Sequence, residues 1–295
     1  MIPVSRRGGF SDRNGINPLN TEIQLKDFDE HTRVMFINSI TTLYEHIYKK
    51  DQFEKENQKF FRYVLKEIYA QPLRVSGIYT QDEIFKIINE TFSDDNYDAI
   101  LTTIEAIIQY FDQYLMNNMR LNYWDYRLGT VYDYFNAIFQ QEYVGYRFIG
   151  KYISPISDDE EVTAITESLR NPFTPVREHI EKANILLSDR DNPDYENSIK
   201  ESISAVEAIC TIIVGKDDAT LGKSLKIIED KGIIIHPVLK IAFDKLYGYT
   251  SDADGIRHAS GIGGSTSTFE EAKFMLVSCS AFINYLMGIK SKFNK

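Results

Sequence analysis

Apolar residues recur in this chain at steps of three and four, over windows long enough for several helical turns. The clearest case is Ile199, Ile203, Val206, Cys210 and Ile213. That spacing puts all five side chains on one face of an α-helix, a pattern that alternating strand geometry cannot bury. A second stripe, Ala272, Met275, Cys279, Phe282 and Leu286, repeats it near the C-terminus. Further stripes run through Val34, Ile37, Ile40 and Leu43, through Phe60, Val64, Leu65 and Ile68, through Ile84, Ile87 and Ile88, and through Ile100, Ile104, Ile107, Ile108 and Phe111. Several such faces must bury one another, so the expected class is mostly α. At 295 residues the chain is long enough for two domains.

The stops and starts give the expected elements. Helices are expected over 29–48, 53–69, 97–119 and 130–140 in the first half. Thr80, with Glu83 three residues on, is expected to form a capping box for the helix through Ile84. In the lead-in, Phe10, Ile16, Leu19 and Ile23 are the expected apolar anchors. Alternation around Gly145 and Gly150 predicts a small β-hairpin within Tyr143–Ile153. Pro155 and the acidic run Asp158–Glu161 then mark a boundary, dividing the chain into 1–155 and 156–295. The second half reads as helices near 158–169, 174–188, 193–214, 219–230, 236–247 and 268–289. Asn192 is the expected cap of the third, with Pro193 in its first turn, and Gly232 is placed as a C-terminal cap.

Charge and motif spacing exclude several functions. There are 33 basic against 43 acidic residues, a net charge of -10, which disfavours a protein that coats duplex DNA by charge alone. No apolar run approaches the ~20 residues of a membrane-spanning helix, and no secretory leader is apparent, so a soluble, cytoplasmic protein without a membrane partner is expected. Cys210 and Cys279 both fall on apolar helical faces and read as buried thiols. The five histidines, His31, His46, His179, His236 and His258, show no metal-ligand spacing. Gly222-Lys223-Ser224 has Asp217 where a phosphate loop needs its first glycine, and Gly261-Ile262-Gly263 lacks the third glycine of a dinucleotide fingerprint. No metal or cofactor is therefore expected. The aromatics between Tyr110 and Phe148 fit a base-stacking platform or a shared core; with only Arg120, Arg127 and Arg147 among them, the core reading is favoured.

One loop joins a permanent cation to an imidazole: Ser251-Asp252-Ala253-Asp254-Gly255-Ile256-Arg257-His258-Ala259. Arg257 can clamp a phosphate while His258 moves a proton. Alternatively Arg257 binds helix carbonyls or pairs with Asp252 or Asp254 while His258 packs, and spacing alone favours this second arrangement.

Longer stretches carry a resemblance. Phe10-Ser11-Asp12-Arg13, Ile23-Gln24, Asp29, Arg33 and Asn38 resemble the N-terminal domain of AbiJ-type bacterial abortive-infection proteins. Glu142-Tyr143-Val144-Gly145-Tyr146-Arg147-Phe148 extends that likeness. Leu187-Ser188-Asp189-Arg190, the run Ser198–Ala208, the run Leu246–Asp252 leading to Gly255–Ala259, and Phe274–Phe282 are similar to the C-terminal part of the same proteins. The resemblance implies an AbiJ-type N-terminal helical domain over 1–155 and a HEPN-like helical bundle over 156–295. It also implies antiphage defence by a homodimeric, metal-independent ribonuclease responding to a phage-derived trigger, with RNA as substrate. Arg257 and His258 would be its catalytic residues, and Asn197, Glu201, Ser204 and Glu207 would line the same cleft. The HEPN motif's distal histidine has no counterpart: Gly261, Ile262, Gly263 and Gly264 occupy its positions. A non-catalytic module that senses RNA, a nucleotide or a phage protein is therefore the alternative reading. The N-terminal domain, which has no catalytic constellation, would recognise the trigger or restrain the bundle.

Overall fold

A computed structural model describes residues 7–16, 18–19, 22–48, 54–75, 77–94, 96–117, 129–189, 192–215, 221–230, 235–251 and 267–293. Twelve α-helices and one two-stranded hairpin occur among them, and the chain divides into two compact units, 1–157 and 158–295.

The first unit contains α1 (Phe10–Arg13), α2 (Glu30–Tyr48), α3 (Glu54–Tyr63), α4 (Gln81–Ser93), α5 (Tyr97–Asn117), α6 (Val131–Gln141), β1 (Arg147–Ile149) and β2 (Tyr152–Ser154). The capping box of α4 forms as its sequence requires: Glu83 N–H donates to Thr80 Oγ1, and Thr80 N–H donates to Glu83. Thr130 and Asp133 build a second box at the start of α6. The helix expected over 53–69 ends instead in a π-helical turn, Val64–Ile68, followed by Ala70 at φ 50. The hairpin pairs Arg147 with Ser154 and Ile149 with Tyr152, and Gly150 opens its two-residue turn at φ 62. That left-handed conformation favours glycine at this position.

The aromatic-rich first unit is a core. Phe36 is fully buried, with ring centroids 5.5 Å from Phe28, 5.6 Å from Phe139 and 6.1 Å from Phe135. Phe148 stacks on Phe139 at 6.0 Å. Edge-to-face and offset contacts of this kind add to the burial term. On α2 the buried stripe is Phe36, Ile40, Leu43 and Ile47; Val34, expected inside, is 46% exposed. Phe10, Ile16 and Ile23, expected as anchors of the lead-in, are exposed too. What holds that segment is polar, as described below.

The second unit contains α7 (Asp159–Leu169), α8 (Thr174–Ser188), α9 (Tyr195–Val214), α10 (Leu221–Asp230), α11 (Pro237–Ser251) and α12 (Phe269–Phe293). Helix α9 lies at its centre, packed against α8 and α12. Ile199, Ile203, Val206 and Cys210 are buried there, as are Ala272, Met275, Cys279, Phe282 and Leu286 of α12. The cap of α9 is Asp194, which accepts from Asn197 N–H, so the expected Asn192–Pro193 start is corrected by two residues. Gly215 ends α9 in the left-handed conformation, at φ 73. Gly232 lies outside the described residues.

Among the described residues, one segment, Phe269–Lys290 of α12, is long and apolar enough to cross a membrane, with a mean hydropathy of 1.4 over its best window. This corrects the expectation that no segment reaches that length: small residues such as Ser278, Ser280 and Gly288 break the visible apolar run without making it hydrophilic. In the second unit its apolar stripe is buried against the bundle, as in a core helix.

Candidate functional site

The Arg257–His258 pair lies outside the described residues, in the stretch joining α11, which ends at Ser251, to α12, which begins at Phe269. The four polar residues of α9 are described. Steps of four, three and three place Asn197, Glu201, Ser204 and Glu207 along one side of that helix. Asn197 is exposed and bonds Asp194 Oδ2 through Nδ2 at 2.6 Å, within the cap. Ser204 Oγ donates to Lys200 O at 2.9 Å, one turn back. Glu207 is half-buried. None of the four lines the groove between α7 and α12 described below.

Glu201 is the member with reach. Its carboxylate takes a 2.6 Å contact from His179 Nδ1 and a bond from Lys182 Nζ, both on α8. Burial pushes the Glu201 carboxyl up, but Lys182 and His179 together outweigh it and hold it below its ordinary range. The ionised carboxylate fixes His179 Nδ1 as donor. Nε2 is then left without a protein partner among the described residues, on a side chain 39% exposed. Nothing in the spacing joins His179 to Glu201, 22 positions apart; the pairing comes from the packing of α8 on α9.

The first unit holds a buried polar knot that sequence reasoning missed. The Arg7 side chain is 4% exposed and donates through Nε to the fully buried Glu142 and through Nη2 to Asp29 Oδ2 at 2.7 Å and Thr32 Oγ1 at 3.1 Å. His31 Nε2 lies 3.6 Å from Glu142 Oε2. Gln24 Nε2 donates to Glu142 O at 2.7 Å and to Thr32 Oγ1 at 2.9 Å, while Gln24 Oε1 accepts from Asp29 N–H. Asp29 in turn accepts from Thr32 N–H at 2.7 Å in the first turn of α2. The main chain joins in: Gln24 pairs with Val144 in a parallel bridge, and its N–H bonds Tyr143 O at 2.8 Å. Tyr143 adopts φ 54, an uncommon conformation for a bulky residue, with the Arg7 guanidinium 5.7 Å from its ring centre.

Electrostatics makes the knot an anchor. Burial lowers the Arg7 pKa, but Glu142 and Asp29 raise it further, so the guanidinium is charged at every working pH. Burial raises Asp29, yet its bonds to Thr32 and Arg7 hold it below the ordinary carboxylate range. A carboxylate wholly closed to solvent has no route to a substrate, so Glu142 serves architecture. The two thiols are inert for a similar reason: burial pushes Cys210 and Cys279 each up to about 12.

A groove of about 430 Å³ runs between α7 and α12, lined by Asp159, Glu160, Thr163, Ala164, Glu167, Ala281 and Asn284. Its carboxylates repel a nucleic-acid backbone, so the groove is no seat for RNA.

Compared with known families, residues 8–171 match the family model described as AbiJ N-terminal domain 4. The match takes in α1 through α7 and all of the polar knot except Arg7. Neither the curated proteins nor the solved structures give a match to the chain.

Proposed function

Because this chain belongs to the AbiJ N-terminal domain 4 family, and is an abortive-infection-type defence protein, we propose that its C-terminal unit cuts RNA without a metal, two chains acting together. The observation that carries this reading is the Arg257-His258 pair in the connection between α11 and α12. The chemistry is that of an internal transfer. The ribose 2′-oxygen attacks the adjacent phosphorus, the bond to the 5′-oxygen breaks, and the products end in a 2′,3′-cyclic phosphate and a 5′-hydroxyl. His258 takes or returns the proton, and Arg257 offsets the charge that builds on the phosphate oxygens.

The test is to incubate the purified full chain with single-stranded RNA and transfer RNA in EDTA, with and without a phage lysate. Cleavage is expected in EDTA, and Arg257→Ala is expected to slow it by roughly a hundredfold or more. Intact RNA in every lane would refute the nuclease reading.

A second reading draws on a specific feature, the run Gly261, Ile262, Gly263, Gly264 where HEPN nucleases place their distal histidine. Under it the unit binds RNA, a nucleotide or a phage protein and cuts nothing. RNA binding that Arg257→Ala abolishes, with no cleavage under any condition, would decide for it.

A further inference from the structure

Tyr48 is a core residue with an unanswered hydroxyl. It is buried at the C-terminal end of α2, and among the described residues its Oη makes no hydrogen bond. A buried polar atom in that state is rare and costly in a folded protein. Burial pushes the Tyr48 phenol up, and Tyr110, Tyr114 and Glu56 push it further, so these are the polar groups around the hydroxyl. Tyr110 approaches it without reaching hydrogen-bond geometry. All three neighbours line one cavity of about 370 Å³ between α3 and α5. Tyr48 also borders a hollow shared with Tyr44, Glu45, Asn57 and Gln81, but the groups acting on its hydroxyl are those of the first cavity.

The lining follows from helical spacing. Tyr110, Gln113, Tyr114 and Asn117 come at steps of three, one and three, which sets two phenols and two carboxamides on one face of α5. Glu56 and Lys59 of α3 complete the lining and are bonded to each other at 2.6 Å, so each charge is already committed. Both tyrosines are half-buried: Tyr110 packs on Tyr63 with ring centroids 4.6 Å apart, and Tyr114 on Tyr48 at 5.0 Å.

We propose that this cavity binds an adenine base, its edge held by the Gln113 and Asn117 carboxamides and the Tyr48 hydroxyl, its rings against Tyr110 and Tyr114. The proposal concerns the first unit and stands apart from the nuclease reading. A carboxamide presents a donor and an acceptor side by side, the complement of adenine N6 and N7, whereas guanine O6 and N7 both accept and suit a cation. The phenol rings supply a stacking surface for a flat heterocycle. Other occupants fit less well. An anion meets an ammonium already bonded to Glu56, and an organic cation meets a carboxylate already bonded to Lys59. An apolar molecule would strip water from two carboxamides and still leave the Tyr48 hydroxyl unanswered. The volume lies near the lower end of the range for small-molecule sites, about 300–1,000 Å³, which suits one nucleoside.

The experiment uses the full-length chain, titrated by calorimetry and equilibrium dialysis with adenosine, guanosine, cytidine and a short single-stranded oligoadenylate. Adenosine is expected to bind with a Kd on the order of 100 μM or tighter. Guanosine and cytidine are expected to bind roughly tenfold more weakly or worse. Gln113→Leu, at an exposed position, is expected to weaken adenosine roughly tenfold. Tyr48→Phe deletes only the hydroxyl. It is expected to weaken adenosine roughly tenfold without lowering the melting transition of the free chain, because the deleted group had no partner to lose. Lys86→Ala, on exposed α4 surface, should bind as the wild type does. Equal affinity for adenosine and the oligoadenylate assigns a free nucleoside. Tighter binding of the oligomer, lost in the same two variants, assigns an adenine carried on a strand.

No binding of any of these ligands at millimolar concentration would overturn the proposal. Guanosine or cytidine bound as tightly as adenosine would refute the adenine assignment. Adenosine binding indifferent to both Gln113→Leu and Tyr48→Phe would put the ligand elsewhere and equally refute it. A Tyr48→Phe chain that melts well below the wild type would mean that the hydroxyl serves the fold, and the observation under the proposal would be gone. The two readings fail separately. RNA left intact in every lane retires the nuclease and keeps the cavity, and cleavage by a chain that binds no adenosine does the reverse.

Discussion

Replacing Arg7 by methionine tests whether the polar knot holds the first unit together. Methionine keeps the length and much of the volume of the stem while deleting the charge. What remains is Glu142, fully buried, with Gln141 Nε2 at 3.0 Å and His31 Nε2 at 3.6 Å as its surviving side-chain neighbours. Stripping one partner from a buried ion pair costs about 3–5 kcal/mol. Asp29 is 29% exposed and retains its bond from Thr32 N–H, and Gln141 still serves Glu142, so the lower part of that range applies, about 3 kcal/mol. For a unit of this size that corresponds to a drop in melting temperature of roughly 6–12 °C.

The assay is calorimetry at pH 7, with urea unfolding followed by circular dichroism as a check. Removing the second charge as well, in Arg7→Met/Glu142→Gln, should recover at least about 1 kcal/mol relative to the single variant, because no fully buried ion is then left without its partner. Acid adds a third readout. Asp29 has a folded pKa below its unfolded value, so its contribution is complete above the unfolded pKa of about 3.9 and is lost as pH falls through the folded value. Arg7 is one cause of that depression, so Arg7→Met should flatten the acid limb of the stability curve. A loss below about 1 kcal/mol, or a double variant weaker than the single, would mean that the knot is incidental.

Four further outcomes follow from local features. Thr80→Ala deletes the acceptor for Glu83 N–H and should cost about 1 kcal/mol in urea unfolding. Ala70→Gly relaxes a left-handed residue at an exposed site after the π-turn and should stabilise by up to about 1 kcal/mol, read from the same transition. Both cysteines should be silent toward a thiol reagent at pH 8 in native buffer and react fully in guanidinium, since burial holds each thiol near 12. Glu201 has a folded pKa below its unfolded value, so its ion pairs persist above about pH 4.3 and are lost in stronger acid; Glu201→Gln should remove that acid-dependent part of the second unit's stability.

Periodicity made the helices legible because burial imposes it directly on the sequence. The stripes of α5 and α12 fall inside residue for residue, and the capping box at Thr80 forms as its two residues require. Where one residue could serve either face, the pattern misled: Val34 fits the spacing of α2, yet Phe36 takes the interior, because four rings converge on it. The start of α9 was misplaced because Asn192-Pro193 is as good a helix signal as Asp194, and only the turn before the helix decides between them. Side-chain partners across long separations left no mark at all. Arg7 and Glu142 are 135 positions apart, and neither sits in an apolar stripe that would betray its burial.

That last pairing bears on how the family likeness should be understood. Gln24, Asp29 and the Glu142–Gly145 turn all lie in stretches by which this chain resembles AbiJ-type proteins, and all of them converge on one buried knot. Gly145 sits so close beneath Ile23 and Leu25 that a Cβ there would stand 2.9 Å and 2.4 Å from their side chains. Specific polar residues at fixed positions are usually suspected of chemistry, yet here Gln24 and Glu142 are buried and the set is bonded to itself. Buried ionic networks of this sort fix which segment lies against which, since a misplaced partner strands a charge. The motif of the first unit is thus a fold determinant: it ties the lead-in, the start of α2 and the α6–β1 turn into one arrangement. A reactive group in this protein has to be sought where a side chain meets solvent. The half-exposed His179–Glu201 pair on α8 and α9 meets that condition in the second unit. A knot that positions segments and a bundle that carries exposed imidazole make different demands. Arg7→Met should therefore lower the melting transition of the first unit while leaving that of the second unchanged.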